Sequence, residues 1–395
     1  MAFDPLPSRA ETPAAARGRI HLNNAGAALM PQPVIAAVFE YLRRESEMGG
    51  YEAADAAAGS IDAAYHAVAR LVGAAPRNIA IIENATTGMA LALSALDPGP
   101  GDVILTTCDD YPSNQLMYLS LAARRGVEVV RAPDAPEGGV DTQAVSELLR
   151  TRRPIAVAVS HVPTHSGLVQ PVETIGSLCG EAGVPFIIDA CQSIGQIPID
   201  AQALHCDVLV ASARKFLRGP RGIGFLYASD AALERGLAPM FPDLRAADWT
   251  SPNGYALAST ARRFENWEYP YALVVGLAEA ARYATAVGVE QGGAYAASLA
   301  ARIRERLGEQ TGVRVLDRGP ALSAIVTAKF ESHSPETIMQ RLREQAINTS
   351  VTRVDYPTVD EERRAAGSAL RISPHYYLTQ RDVDIALMAL EEFCP

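Results

Sequence analysis

Between about Asn78 and Ala228 the chain alternates short apolar runs with stretches of helical period. The runs are IAIIE (79–83), DVILTT (102–107), VEVVRA (127–132), IAVAVSH (155–161), VPFIIDA (184–190), CDVLVAS (206–212) and IGFLYA (223–228). Each has the length of a strand and is rich in Val and Ile. Most are apolar without alternation, as strands are when helices cover both faces of their sheet. The stretches 114–125, 141–151 and 171–183 read as crossover helices, so the pattern predicts an α/β fold with a mainly parallel, seven-stranded sheet between helices. Ahead of it, 31–46 and 52–73 read as helices. Beyond about Tyr271 the pattern changes to Ala-rich helical stretches at 271–287 and 290–312 and a strand-like pair near 313–328. A helix at 335–346, an extended 347–353, a strand at 368–373 and a last helix at 380–393 follow. The expected division is a flexible arm over 1–17, a large domain over 18–270 and a smaller α+β domain over 271–395, with the N-terminal segment packing near the latter.

Composition narrows the possibilities. A chain of 395 residues exceeds what one core commonly holds, which supports two domains. The net charge of −10 offers no footprint for nucleic acid or an anionic membrane. No apolar run approaches the ~20 residues of a membrane span. The N-terminus lacks the apolar core of a signal peptide, so no export is expected. Cys108, Cys179, Cys191, Cys206 and Cys394 are scattered without metal-ligand spacing. That predicts no metal site and a reduced, cytoplasmic setting.

In an open α/β sheet, ligands lie at the carboxyl ends of the strands. Polar groups follow at least five of the predicted strands: Thr86 and Thr87, Tyr111, Thr164 and His165, Asp189 and Gln192, and Ser212 with Lys215. These parts suit pyridoxal 5′-phosphate. A lysine forms a Schiff base with its aldehyde. A buried carboxylate such as Asp189 keeps its pyridine nitrogen protonated and makes the ring an electron sink. Hydroxyls and N–H groups at a helix start bind its phosphate, and an aromatic such as Tyr111 stacks on its ring. Singly, each residue has a plainer reading as a solvated lysine, a turn aspartate, a helix start or a packed tyrosine. Their order and setting favour the cofactor.

The segments HLNNAGAALMPQPV (21–34), NATTGMALAL (84–93), SHVPTHSGLVQP (160–171), VPFIIDACQSIGQIPID (184–200), DVLVASARKFLRGPRGIGFLY (207–227), RRFENWEY (262–269) and LRISPHYY (370–377) span nearly the whole chain. Through them it resembles the class V aminotransferases, fold-type-I pyridoxal phosphate enzymes that include cysteine desulfurases and isopenicillin N epimerase. The resemblance implies that Lys215 carries the cofactor, Asp189 pairs with the ring nitrogen and Gln192 bonds the ring 3-oxygen. It places Thr86, Thr87 and Ser212 on the phosphate, Tyr111 over the ring, and Arg371 on the substrate α-carboxylate. The chain departs from the common pattern at Thr164, at Arg214 (a second phosphate-ligand candidate), and at Asn266-Trp267-Glu268, where many relatives have Gly-Thr reaching the partner subunit. His165 is a candidate acid/base or substrate contact, and Asn24, Trp267 and His375 are candidate substrate contacts. Arg218 and Arg353 are possible second substrate arginines. A homodimer is implied.

The family's reactions are several. Cysteine desulfurases need a nucleophilic Cys ahead of the carboxylate-binding Arg, and 350–371 contains none. The stretch 45–57 together with SARKFLRGPRG is similar to ergothioneine-type C–S lyases and to lincosamide-antibiotic enzymes that process S-conjugated cysteines. The expected reaction is β-elimination from an S-conjugated cysteine. The alternatives are decarboxylating oxidative deamination, transamination or epimerisation, and, furthest off, a non-catalytic binding protein.

Overall fold

The computed structural model describes residues 3–394. All seven apolar runs form strands: β1 (Ile79–Ile82), β2 (Val103–Thr107), β3 (Glu128–Ala132), β4 (Ala156–Ser160), β5 (Phe186–Asp189), β6 (Val208–Ser212) and β7 (Gly224–Ala228). They make one sheet in the order β1-β7-β6-β5-β4-β2-β3. Only β7 runs against its neighbours, antiparallel to both β1 and β6. Every residue of β2, β4, β6 and β7 is buried, whereas the edge strand β3 is partly open. Helices Pro112–Arg125, Thr142–Arg152 and Val172–Ala182 make the crossovers.

The strand order reverses between β4 and β2, so the crevice of a topological switch point opens at their carboxyl ends. Helix Ala85–Ala95 lies close enough to the sheet that a Cβ at Gly88 would meet Ile82 Cδ1 at 2.5 Å and Val210 Cγ1 at 2.9 Å. Glycine at that contact sets the helix N-terminus down on the strand ends.

Beyond the large sheet, β8 (Val313–Val315), β9 (Val326–Phe330), β10 (Ser350–Arg353) and β11 (Ser368–Ile372) form an antiparallel sheet in the order β8-β9-β11-β10. Leu299, Ile303, Ile338, Leu342, Val383 and Leu387 fill its own core. Ile20–His21 adds a parallel pair with Ile347–Asn348.

Two expectations are corrected. Helix Tyr271–Val287 buries Val274, Leu277, Ala278 and Ala281 in the core of the large sheet, while Tyr283 and Val287 near its end pack against the core of the smaller one, so most of this helix goes with the large sheet rather than with the segment after 270. The arm is also not loose from residue 3 onward. It forms helices Leu6–Ala10 and Pro13–Ala16, with Ala15 fully buried and Arg9 Nη1 2.6 Å from Asp382 Oδ2. A hairpin at Ala247–Ser251 and Gly254–Leu257 was not anticipated. Among the described residues no single helix is long and apolar enough to cross a membrane.

Candidate active site

The carboxyl ends of the strands enclose a cavity of about 270 Å³, lined by Asn84, Thr86, Tyr111, Thr164, Asp189, Gln192, Ser212, Arg214 and Lys215, among others. β5 delivers Asp189, whose two oxygens are fixed separately. Asn114 Nδ2 donates to Oδ2 at 3.0 Å and the Cys191 N–H donates to Oδ1 at 3.0 Å. One turn on, Gln192 Nε2 donates to Thr164 Oγ1 (3.0 Å) and to the Ala25 carbonyl (3.1 Å). Its Oε1 is buried with no partner among the described residues. A buried polar atom left so is costly unless something else meets it.

β6 delivers Ser212, whose Oγ accepts from the Ala85 N–H at 3.0 Å and so joins the strand end to the helix N-terminus. Asn84 caps that helix by accepting from the Thr87 N–H at 3.0 Å. The Thr87 hydroxyl also lies toward Asn84, at 3.5 Å, and Thr87 does not line the cavity; Thr86 does. Lys215 is only 6% exposed, and its Nζ is 5.7 Å from the centre of the Tyr111 ring. Burial pushes its amine below the ordinary lysine range. Arg214 and Arg371 add to that, against the opposing pull of Cys191 and Asp189.

Arg371, on β11, does not line the cavity itself but lies behind its wall at Thr164. Its Nε donates to Ser350 Oγ at 3.1 Å, and its Nη1 donates to the carbonyl and the hydroxyl of Thr164 at 2.9 Å each. All three partners are neutral. Burial and Arg214 bring Arg371 down to about 10, so it is still charged at neutral pH. The arrangement is a buried cation held beside the cavity wall at Thr164, with no carboxylate of its own among the described residues. Arg214 lines the cavity and donates to the Gly26 carbonyl.

Several expected residues stand elsewhere. His165 lines no part of the cavity. It is sealed against Asp109, Nε2 to Oδ1 2.8 Å, and Asp109 Oδ2 in turn meets Arg363 Nη1 at 2.6 Å. Although burial pushes Asp109 up, His165 and Arg363 hold it down to about 2. Asn24 is wholly buried and ties backbone to side chain: Nδ2 donates to the His21 and Ser373 carbonyls, and Oδ1 accepts from the Tyr377 hydroxyl at 2.6 Å. His375 is likewise used up. Its Nδ1 accepts from the Tyr376 N–H, so Nε2 carries the proton and donates to the Phe216 carbonyl at 2.9 Å. Trp267 is 53% exposed and outside this chain's cavity.

Neither further arginine faces the cavity. Arg218 is buried against the rings of Tyr376 and Tyr377 and donates to Thr12 Oγ1, while Arg353 is exposed and paired with Asp355. The cavity also gains Glu83, Ser160, Cys191, Arg221 and Gly222, which the sequence reading had not placed there. The sequence reading did not single out Asn84 either, although an Asn just ahead of a helix start is a capping signal that could have found it.

Residues 20–386 match the family model described as aminotransferase class-V. A probable hercynylcysteine sulfoxide lyase of Mycobacterium tuberculosis is 30% identical over 94% of this chain and 89% of its own length. A probable cysteine desulfurase of Synechocystis is 26% identical over 94% of this chain and 90% of its own. Among solved structures, the apo cysteine desulfurase of Thermococcus onnurineus superposes with a TM-score of 0.88 at 25% identity, covering 100% of this chain and 99% of that one.

Proposed function

The chain belongs to the aminotransferase class-V family and is a pyridoxal 5′-phosphate enzyme acting on cysteine-related substrates; on that premise we propose that it eliminates the sulfur group from an S-conjugated cysteine. The balanced reaction takes the substrate and water to a thiol, pyruvate and ammonia, or to a sulfenic acid in place of the thiol when the substrate is a sulfoxide. The observation that carries this reading is the segment between Ser350 and Arg371. It stands where a persulfide-forming enzyme needs a nucleophilic cysteine and contains none. Cys191, the only cysteine lining the cavity among the described residues, is no substitute. Burial, and then the Asp189 charge, push its thiol up and away from the thiolate.

The residues present fit the cofactor. The partnerless Gln192 amide oxygen marks a buried place for a polar ring substituent. Asp189 meets the cavity as a fixed carboxylate, and the N-terminus of Ala85–Ala95 with Thr86 and Ser212 suits a phosphate. When bound, pyridoxal phosphate supplies an electron sink for negative charge developing at the substrate Cα. Lys215, its amine biased toward the neutral form, takes the Cα proton. Asp189 holds the proton on the ring nitrogen, and Tyr111 covers the ring face. Arg371 holds the α-carboxylate and thereby fixes which Cα bond faces Lys215.

The chain also carries the makings of a homodimer. Phe39, Tyr51, Phe241, Trp249, Tyr255 and Trp267 are each more than half exposed, a density of bare aromatics that suits burial against a second copy. Light scattering of the purified protein tests this, with twice the chain mass expected and an active monomer contradicting it. For the reaction, Lys215→Ala is expected to abolish the visible absorbance of the bound cofactor and turnover together. Retained turnover would refute the role of Lys215.

A further inference from the structure

Asp110 lines no part of the cavity, yet it is wired to it. It follows β2, is 3% exposed, and has both oxygens saturated with donors. Oδ1 accepts from the Tyr111 N–H at 2.6 Å, the Ser160 hydroxyl at 2.6 Å and Asn114 Nδ2 at 3.2 Å. Oδ2 accepts from Gln115 Nε2 at 3.0 Å and the Thr106 hydroxyl at 3.2 Å. The Gln115 amide is itself oriented by Arg131, whose Nε donates to Oε1 at 2.9 Å, so the NH2 end faces Asp110. Three of the five donors are N–H groups, which cannot turn round to accept a proton. Burial above all, with the nearby Asp189, pushes the Asp110 carboxyl up on balance, against the pull of Ser160, Tyr111 and Asn114; the geometry favours the carboxylate all the same, because donors on every side need an acceptor on both oxygens and an acid proton would face one of them. A carboxylate that accepts this many bonds is stabilised in its charged form.

The nitrogen that donates to Asp110 also donates to Asp189. Asn114 Nδ2 lies 3.2 Å from Asp110 Oδ1 and 3.0 Å from Asp189 Oδ2, so one amide group bridges two buried carboxylates. We infer that Asp110 is a positioning residue for the cofactor: through Asn114 it fixes the orientation of Asp189, and its negative charge strengthens the hold of Asp189 on the ring-nitrogen proton. The inference rests on the pairing of Asp189 with the pyridine nitrogen proposed above. A second negative charge one amide away, in a region of low dielectric, favours keeping a proton between Asp189 and its partner. The amide supplies the geometry and the buried charge supplies the electrostatic bias. Neither group needs to touch substrate.

The test uses holoenzyme carrying cofactor labelled with ¹⁵N at the pyridine nitrogen, because protonation moves that resonance upfield. Wild type is expected at the upfield, protonated position at neutral pH. Asp110→Asn keeps the shape and removes the charge, and is expected to bind cofactor through Lys215 while its resonance moves downfield toward the unprotonated position. An unchanged resonance in the variant overturns the role of Asp110. An unprotonated wild type overturns the Asp189 pairing itself, so the two failures are distinct. A second measurement does not depend on the variant folding. Infrared spectra of wild-type holoenzyme carrying ¹³C-aspartate, taken at pH 8, above the value of about 6 to which burial pushes Asp134, are expected to show no isotope-shifted band of a buried, protonated carboxyl. Such a band would overturn the charge assigned to Asp110.

Discussion

Replacing Arg371 by Met isolates substrate recognition. In the folded chain this guanidinium is 8% exposed and, among the described residues, bonded only to Ser350 and Thr164, neutral groups that offset little of the cost of burying a charge. On the proposed role of Arg371, a substrate carboxylate would complete the ion pair. Truncating one partner of a buried, hydrogen-bonded charge pair costs about 2–5 kcal/mol. At about 1.4 kcal/mol per tenfold, kcat/KM for an S-substituted cysteine should fall by roughly 30- to 4,000-fold. Cofactor absorbance should survive, because Lys215, Asp189 and Gln192 are untouched. The informative comparison is with the methyl ester of the same substrate, which presents no carboxylate charge. Wild type should discriminate against the ester by about the factor lost in the variant, and the variant should barely discriminate. Pyruvate release followed with both substrates in both proteins measures this. A less than tenfold loss with the acid, or equal losses with acid and ester, would refute the assignment of Arg371.

Stability should depend on acid through His161. Burial holds it down to about 4, whereas in the unfolded chain it titrates near the ordinary histidine value of 6.5. The unfolded state therefore binds more protons between those values, so stability is full above pH 6.5 and declines as the pH falls toward 4. The loss through His161 is roughly 3 kcal/mol, from about 1.36 kcal/mol per pKa unit, and His161→Gln should remove that share of the decline in a urea-melt pH series, leaving the share of His21 and His375, which burial also holds down. Asp109→Ala leaves His165 and Arg363 without their shared buried carboxylate, and should lower the unfolding free energy by about 3 kcal/mol in urea melts. Gly195 has φ +85°, and a Cβ there would lie 2.4 Å from the Phe216 carbonyl, just after Lys215. Gly195→Ala should cost more than about 1 kcal/mol in thermal unfolding and weaken cofactor retention on dialysis. Unchanged stability in any of these variants would contradict the corresponding contact.

Much of the fold was legible because seven Val/Ile-rich runs each form a strand, all but the edge strand β3 buried on both faces. The reversed direction of β7 was not, since IGFLYA reads the same either way along a sheet. The hairpin at 247–257 was missed because it is exposed nearly throughout and carries no apolar period. Helix Tyr271–Val287 was assigned to the wrong domain because an Ala-rich surface can pack on either core. Of the site, the groups whose chemistry needs a strand end were readable: Asp189, Gln192, Ser212, Lys215 and Thr86 all line one cavity. Asn24, His165 and His375 misled because a polar residue close to a motif is as readily consumed by internal hydrogen bonds. Asp109 and Asp110 are adjacent in the sequence, yet one clamps His165 and Arg363 while the other backs Asp189. Only the direction of each side chain separates them.

The central claim is elimination at the β-carbon, and product analysis tests it most directly. Holoenzyme would be incubated with a panel of S-substituted cysteines and their sulfoxides while pyruvate, ammonia, thiol or sulfenic acid products, carbon dioxide and hydrogen peroxide are followed together. Equal amounts of pyruvate, ammonia and the sulfur product, absent with Lys215→Ala, are predicted. Carbon dioxide or peroxide without pyruvate would contradict the account and identify a decarboxylating, oxidative reaction instead.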